Sequence, residues 1–188
     1  MLQTIRQRQL AKLTFVTAGL VLLLVGLVAG ESLLASFMPD SGELDGWQVI
    51  SGTDRGGVTD EQLYPIYDGA VPALREKGLH SAHQRIYKKG NQRITVDVYR
   101  FGNWQQAKGY FLPHRETQKD CGIYQLYNNI KQQAFVAEAA GSITGMFWQR
   151  NYLCAVGMQG SGTADRATVK SFLTFISNKI KKRYQKQK

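Results

Sequence analysis

The chain has 188 residues, room for one modest domain and an anchor. It is 43% hydrophobic, 20% charged and 11% aromatic, with only two cysteines, which excludes a disordered chain, a collagen-like repeat and a cysteine-rich mini-scaffold. The formal charge of +10 sits largely at the ends, on Arg6, Arg8 and Lys12 and on Lys179, Lys181, Lys182, Arg183, Lys186 and Lys188; without these nine, 15 basic side chains face 14 acidic ones. A near-neutral body lacks the clustered cations that phosphate contacts need, so no nucleic-acid partner is expected.

Residues 13–30 (LTFVTAGLVLLLVGLVAG) run without a charge. As a helix they reach roughly 27 Å, close to the hydrocarbon thickness of a bilayer. Basic residues precede the run and Glu31 comes after it, so the positive-inside rule keeps residues 1–12 in the cytoplasm and sends the rest across the membrane. The expected organisation is a cytoplasmic N-terminus over 1–12, a transmembrane anchor over 13–36, a tether over 37–46, an exported domain over 47–180 and a basic tail over 181–188. A long signal segment cleaved after the small residues Val28, Ala29 and Gly30 gives the same export. Gly26 and Gly30 form a GxxxG pair with Gly19 two turns earlier on nearly the same face, a surface on which another transmembrane helix can pack closely.

Past the tether, Trp47 opens a short strand and 51–57 is rich in turn residues. Thr59 has the character of an N-cap, with Asp60 and Glu61 suiting the first turn of a helix. Pro65, Gly69 and Pro72 divide this stretch into helical pieces that stop at Gly78. Two strands over 79–88 and 93–101 flank a turn at Lys89, Gly90 and Asn91, with Ile94, Val96 and Val98 on one face and Thr95, Asp97 and Tyr99 on the other. Asn103 caps a helix over 104–112. Short strands come next at 123–127, 134–137, 143–149 and 152–159, the last two joined by a turn at Arg150 and Asn151. Val169, Phe172, Leu173, Ile176 and Ile180 form the apolar stripe of a closing helix. This order predicts an α+β domain with a mainly antiparallel sheet packed by helices.

Both cysteines, Cys121 and Cys154, fall on the exported side. A disulfide closing a loop of about 30 residues is the expectation there, with free thiols the alternative.

Gly46 and Trp47 at the domain start, Tyr64 with Asp68 and Gly69, then Gly78 set up a recognisable pattern. The strand end Val96, Asp97, Val98 and Tyr99 continues it, as do Ala107, Gly109, Tyr110 and Phe111, and the late hairpin with Phe147, Trp148 and Tyr152. Over roughly 46–180 this resembles a bacterial family known as domain of unknown function 6599. In the family the early motif runs Asp-Gly-Gly-Ala-Glu; here it is Asp68, Gly69, Ala70, Val71 and Pro72, so the second glycine and the acid are absent and any role of that acid is not carried over. The resemblance implies an exported or membrane-anchored domain, hence a bacterial inner-membrane protein with its main domain in the periplasm.

No GxSxG elbow, HExxH, CxxCH, P-loop or GxGxxG is present, and no metal site, cofactor or catalytic residue is expected. His80 and His83 are three apart on a strand, point to opposite faces and are expected as surface histidines. Asp68 and Asp97 are the best candidates for a carboxylate pair acting on polysaccharide. Asp68 is better read as a turn residue, and Asp97 as a solvated or arginine-paired one. Tyr64, Tyr67, Asp68, Trp104 and Tyr110 are the subset that would line a ligand pocket. The expected function is therefore a non-catalytic, membrane-anchored accessory protein docking on a larger membrane complex. Its expected partners are a transmembrane protein on the Gly26 and Gly30 face and, for the basic tail, anionic lipid or an acidic protein surface. An exported ligand-binding or sensing domain with an aromatic pocket is the alternative, and an envelope enzyme the third reading.

Overall fold

The structure, a computed structural model, describes residues 33–120, 122–127 and 133–185. Strand β1 is Gln48–Val49 and β2 is Arg55–Gly57. Helix α1 (Asp60–Tyr67) starts where Gln62 Oε1 accepts from the backbone N–H groups of Val58 and Thr59, and a 3-10 turn over Asp68–Ala70 links it to α2 (Val71–Glu76). The hairpin of β3 (Leu79–Lys89) and β4 (Gln92–Phe101) leads into α3 (Trp104–Lys119). Strands β5 (Ile123–Tyr127), β6 (Gln133–Ala139), β7 (Ser142–Gln149) and β8 (Tyr152–Gln159) precede α4 (Thr163–Gln185). Together this is the expected α+β arrangement.

One antiparallel sheet runs β1-β3-β4-β8-β7-β6-β5, with β2 also on β3. The sequence-distant β4 and β8 therefore lie side by side, with Val96 opposite Val156 and Val98 opposite Cys154. Ile94, Val96 and Val98 face α4, whose Val169, Phe172, Leu173, Ile176 and Ile180 are all fully buried against them. Gly145 of β7 admits α4 closely: a Cβ there would lie 2.6 Å from Val169 and 2.8 Å from Leu173. The opposite face carries α1, α2 and α3 over Tyr99, Phe101, Phe135, Met146, Trp148 and Leu153.

Three boundaries differ from expectation. Leu34, Phe37 and Met38, expected in the anchor's end and the tether, are at most 2% exposed and belong to the core under α4. Phe37 packs edge-to-face on Tyr152 at 5.3 Å, and the Pro39 carbonyl accepts from Tyr87 Oη (2.8 Å) and Arg85 Nη1 (3.2 Å). Residues 33–46 are thus part of the domain. Helix α3 runs to Lys119 rather than stopping at 112, because Pro113 removes one rung without ending the helix. The basic tail begins as the last turn and a half of α4.

Among the described residues no helix is long and apolar enough to cross a membrane. Gly19, Gly26 and Gly30, with 13–32 of the expected anchor, lie outside the described residues, as does Cys121. Cys154 is a free thiol, fully buried in the core, and no disulfide is seen among the described residues. Burial, and after it the Asp97 carboxylate, push that thiol well above its usual pKa, which makes it an inert packing group.

Candidate functional site

A concavity sits at one end of the sheet, where the β4–α3 junction, the β7–β8 turn and the end of α4 converge. It is an open cavity of about 670 Å³. Local sequence sets its position. Asn103 adopts extended backbone and caps α3 reciprocally: its Oδ1 accepts from the Gln106 N–H at 3.0 Å, and Gln106 Oε1 accepts from the Asn103 N–H at 3.1 Å. That cap makes Trp104 the first helical residue and turns its ring out of the sheet, leaving it 49% exposed. Gly78, at φ +86°, lies so close to the Gln106 carboxamide that a Cβ would meet it at 2.2 Å, so the loop before β3 braces the cap.

Trp148, near the end of β7, stacks against Trp104 with centroids 6.3 Å apart and planes 20° from parallel. Trp148 is 7% exposed and its buried indole N–H has no partner among the described residues. The turn after it is held rigidly, since Asn151 Nδ2 donates to the Phe101 carbonyl (3.0 Å) and the Phe101 N–H donates to the Asn151 carbonyl (2.8 Å). Arg150 occupies the left-handed region at φ 57°, where a non-glycine residue costs roughly 1–2 kcal/mol. Its guanidinium lies 4.1 Å from the centroid of the Tyr184 ring on α4, a cation–π contact that fixes the charge on the cavity wall. Behind Tyr184, Tyr152 is buried, which pushes its hydroxyl pKa up; Tyr184 raises it further, and Arg100 and Arg183 oppose the shift. Three arginines thus act at this end of the sheet.

Of the pocket residues expected from sequence, Trp104 alone lines this cavity. Tyr67 and Tyr110 belong to a separate cluster around Asp97, in which Tyr99 lies 5.5 Å from Tyr67 and 6.3 Å from Tyr110. Tyr67 Oη and Gln84 Nε2 each donate to Asp97 Oδ1 at 2.9 Å. Asp97 is therefore neither solvated nor arginine-paired, contrary to expectation. Burial pushes its pKa up to about 6, against the lowering effect of the Gln84 and Tyr67 hydrogen bonds. Asp68 is exposed at φ 44° and caps α1 through its own N–H to the Tyr64 carbonyl, the turn role expected of it. Tyr64 is 44% exposed on α1, away from the cavity lining.

His83 also departs from expectation. It is 6% exposed, with Nε2 2.5 Å from Asp54 Oδ1, which also accepts from Arg85 Nε at 2.8 Å. Burial pushes Asp54 up, but the hydrogen bonds from Arg85 and then His83 outweigh it and hold the carboxyl below its usual range. His80 and His114 are exposed. Among the described residues no group of three His, Cys, Asp or Glu side chains is placed to hold a metal.

The sequence pattern identifies Asn103 as a cap and Arg150 with Asn151 as a turn, but not their convergence with Trp148 and Tyr184. That convergence depends on β4 pairing with β8, a contact between residues more than 50 positions apart.

No family model matches the chain, and no curated protein matches it. A solved structure does: the extracellular domain of PknH from Mycobacterium tuberculosis, with a TM-score of 0.54 at 12% identity, covering 81% of this chain and 96% of that one. At that identity the likeness is one of fold.

Proposed function

We propose that this chain is an extracytoplasmic ligand-recognition domain, non-catalytic and held at the bacterial inner membrane by its N-terminal apolar segment. The observation that carries the reading is the end-of-sheet cavity. It combines a stacked indole pair, a guanidinium held against the Tyr184 ring and a volume in the range of small-molecule sites. Export is supported by the basic residues before the apolar run, by the resemblance to domain of unknown function 6599, and by a fold shared with a domain whose own description is extracellular. The test is a thermal-shift screen of the full chain in detergent against envelope-derived small molecules, with Trp104→Ala alongside. Compounds that raise the wild-type Tm and leave the variant unmoved support the reading; a screen in which every hit stabilises both proteins equally removes it.

The accessory role stands as a second proposal, supported by β5. This strand pairs with β6 alone among the described residues and exposes Ile123 (44%) and Leu126 (53%), an edge open to strand addition or apolar docking. Co-purification of a stoichiometric membrane partner that is lost in an Ile123→Lys, Leu126→Lys variant supports it, whereas unchanged recovery of the partner counts against it.

A further inference from the structure

We propose that the C-terminal end of α4 docks on an anionic phospholipid surface; this rests on the reading that the N-terminal apolar segment holds the chain at the membrane. The first ground is position. Leu34 is fully buried in the core under α4, four residues after Gly30 closes the apolar run. Four residues reach at most about 14 Å, so a run that crosses the bilayer keeps this part of the domain beside it. Phe37 has its ring 5.3 Å from that of Tyr152, and Tyr152 lies 6.3 Å from Tyr184 in the last turn of α4. Lys179, earlier in the same helix, donates to Glu43 at 3.0 Å. The end of the last helix is thus tied to the segment that follows the apolar run.

The second ground is charge. From Val169 to its end at Gln185, α4 carries no acidic residue. Lys181, Lys182 and Arg183 are exposed, and none of them forms an ion pair among the described residues. Successive residues turn by about 100°, so the three fan across the side of the helix away from the buried Ile180. Arg100, half-buried and opposite Tyr152 in the β4–β8 register, is likewise without an ion pair among the described residues. Its charge and that of Arg183 both act on the Tyr152 hydroxyl. A helix dipole favours cations in the last turn, but it does not call for the absence of acids along the turns before it.

The third ground is shape. Cations fanned around an exposed helix end do not converge on a discrete anion, whereas a plane of headgroups meets several of them at once. Each Lys or Arg close to an anionic surface contributes about fivefold to partitioning, and the effect falls off within about 8 Å at physiological salt. The planar fork of Arg183 matches a phosphodiester, and the lysines add point charges beside it. Docking in this way turns the α4 face toward the bilayer and leaves the face that carries α1, α2 and α3 directed away from it.

The experiment reconstitutes the full chain into nanodiscs of phosphatidylcholine alone or with one quarter phosphatidylglycerol. A donor dye on Gln185→Cys, in a Cys121→Ser background, reports energy transfer to acceptor-labelled headgroups. The expected result is a transfer efficiency about twofold higher in the anionic discs at low salt, lost in about 0.5 M salt. Lys181→Gln, Lys182→Gln, Arg183→Gln should abolish the difference between the two discs. Lys77→Gln, Lys108→Gln, on α2 and α3 across the sheet, should preserve it, which separates a local docking face from net charge. Equal transfer in both discs, or the same loss in both sets of variants, overturns the docking while the chain stays in the membrane. Release of the label from anionic discs by an equimolar oligoglutamate peptide assigns the cations to an acidic protein surface and overturns the lipid partner. A chain that folds in detergent but does not incorporate into either disc removes the membrane reading itself, and the docking with it.

Discussion

The two faces of the sheet use the same kinds of side chain to different ends. Under α4, Phe172 meets Trp47 at 5.8 Å and Tyr87 at 5.0 Å, both edge-to-face, and all three rings are at most 2% exposed. At the margin of that face Arg85 is answered by Asp54 and Asp40, and His83 Nε2 lies 2.5 Å from the same Asp54 carboxylate, while His83 Nδ1 is buried without a partner among the described residues. Across the sheet, Asp97 has neutral donors only, Trp148 keeps an unanswered N–H, and the Trp104–Trp148 pair is stacked with one ring left half in solvent. Edge-to-face contacts enclose both rings of a pair, whereas a parallel stack leaves an outer face for a third partner. The α4 face encloses its rings, and the other face keeps a buried carboxylate with neutral donors and a stack whose outer ring is half exposed, the arrangement on which the proposed recognition role rests.

The largest effect is expected from Phe172→Ala. Deleting the ring that joins Trp47 to Tyr87 should cost about 3–5 kcal/mol, read from the midpoint of chemical denaturation. A loss below about 1 kcal/mol would mean that the core under α4 is not the principal source of stability, and the contrast between the faces would lapse.

Asp97→Asn probes the unfinished face, and its effect has the opposite sign. With a folded pKa of about 6 against an ordinary value of 3.8, the native state holds this proton more tightly than the unfolded chain. Stability therefore falls as pH rises from about 4 to 6, and the penalty is complete above that window. The amide keeps an oxygen for Tyr67 and Gln84 and carries no charge, so the variant should be more stable than wild type at pH 7, by on the order of 3 kcal/mol. That gain should vanish below pH 4. A gain independent of pH would place its origin outside Asp97 ionisation.

Asp54→Asn is the counterpart on the paired side. Asp54 has a depressed folded pKa, so its contribution is present above the usual carboxylate range and is lost as pH falls through the folded value. Removing the charge leaves Arg85, with a side chain only 9% exposed, without its closest partner, and should cost about 1–3 kcal/mol at pH 7. Opposite signs for these two substitutions at neutral pH, converging in acid, would be the sharpest confirmation of the contrast. The same sign for both would break it.

How much of the molecule is legible in its sequence depends on the range of the interactions. The alternation in 94–99 and the stripe from Val169 to Ile180 report local period, and both are buried as expected. Leu34, Phe37 and Met38 read as anchor and tether because an apolar run does not say where lipid ends and protein core begins. Pro113 reads as a stop because a proline's local cost is visible while the packing of Phe111 and the reach of Arg115 to Gln133 are not. At the site, Trp104 is legible from its place beside a cap. Trp148, Arg150 and Tyr184 join it only through the β4–β8–β7 pairing and the return of α4, which no periodicity encodes.

Trp104→Ala should have the smallest effect on stability and the most specific effect on function. Half of the ring is already in solvent and its partner Trp148 is held by the second core, so truncation removes a stack and little enclosed area. The expected loss is about 1 kcal/mol or less, close to what an aromatic pair contributes beyond burial. Because the ring is the platform of the cavity, the same variant should lose ligand-dependent stabilisation and fluorescence change entirely. A Tm drop approaching that of Phe172→Ala would show that the indole pair is a structural clasp between α3 and β7, and the cavity beside it would then be a by-product of that packing. A near-silent Tm with binding abolished would place Trp104 where its geometry places it, on the face the protein leaves open.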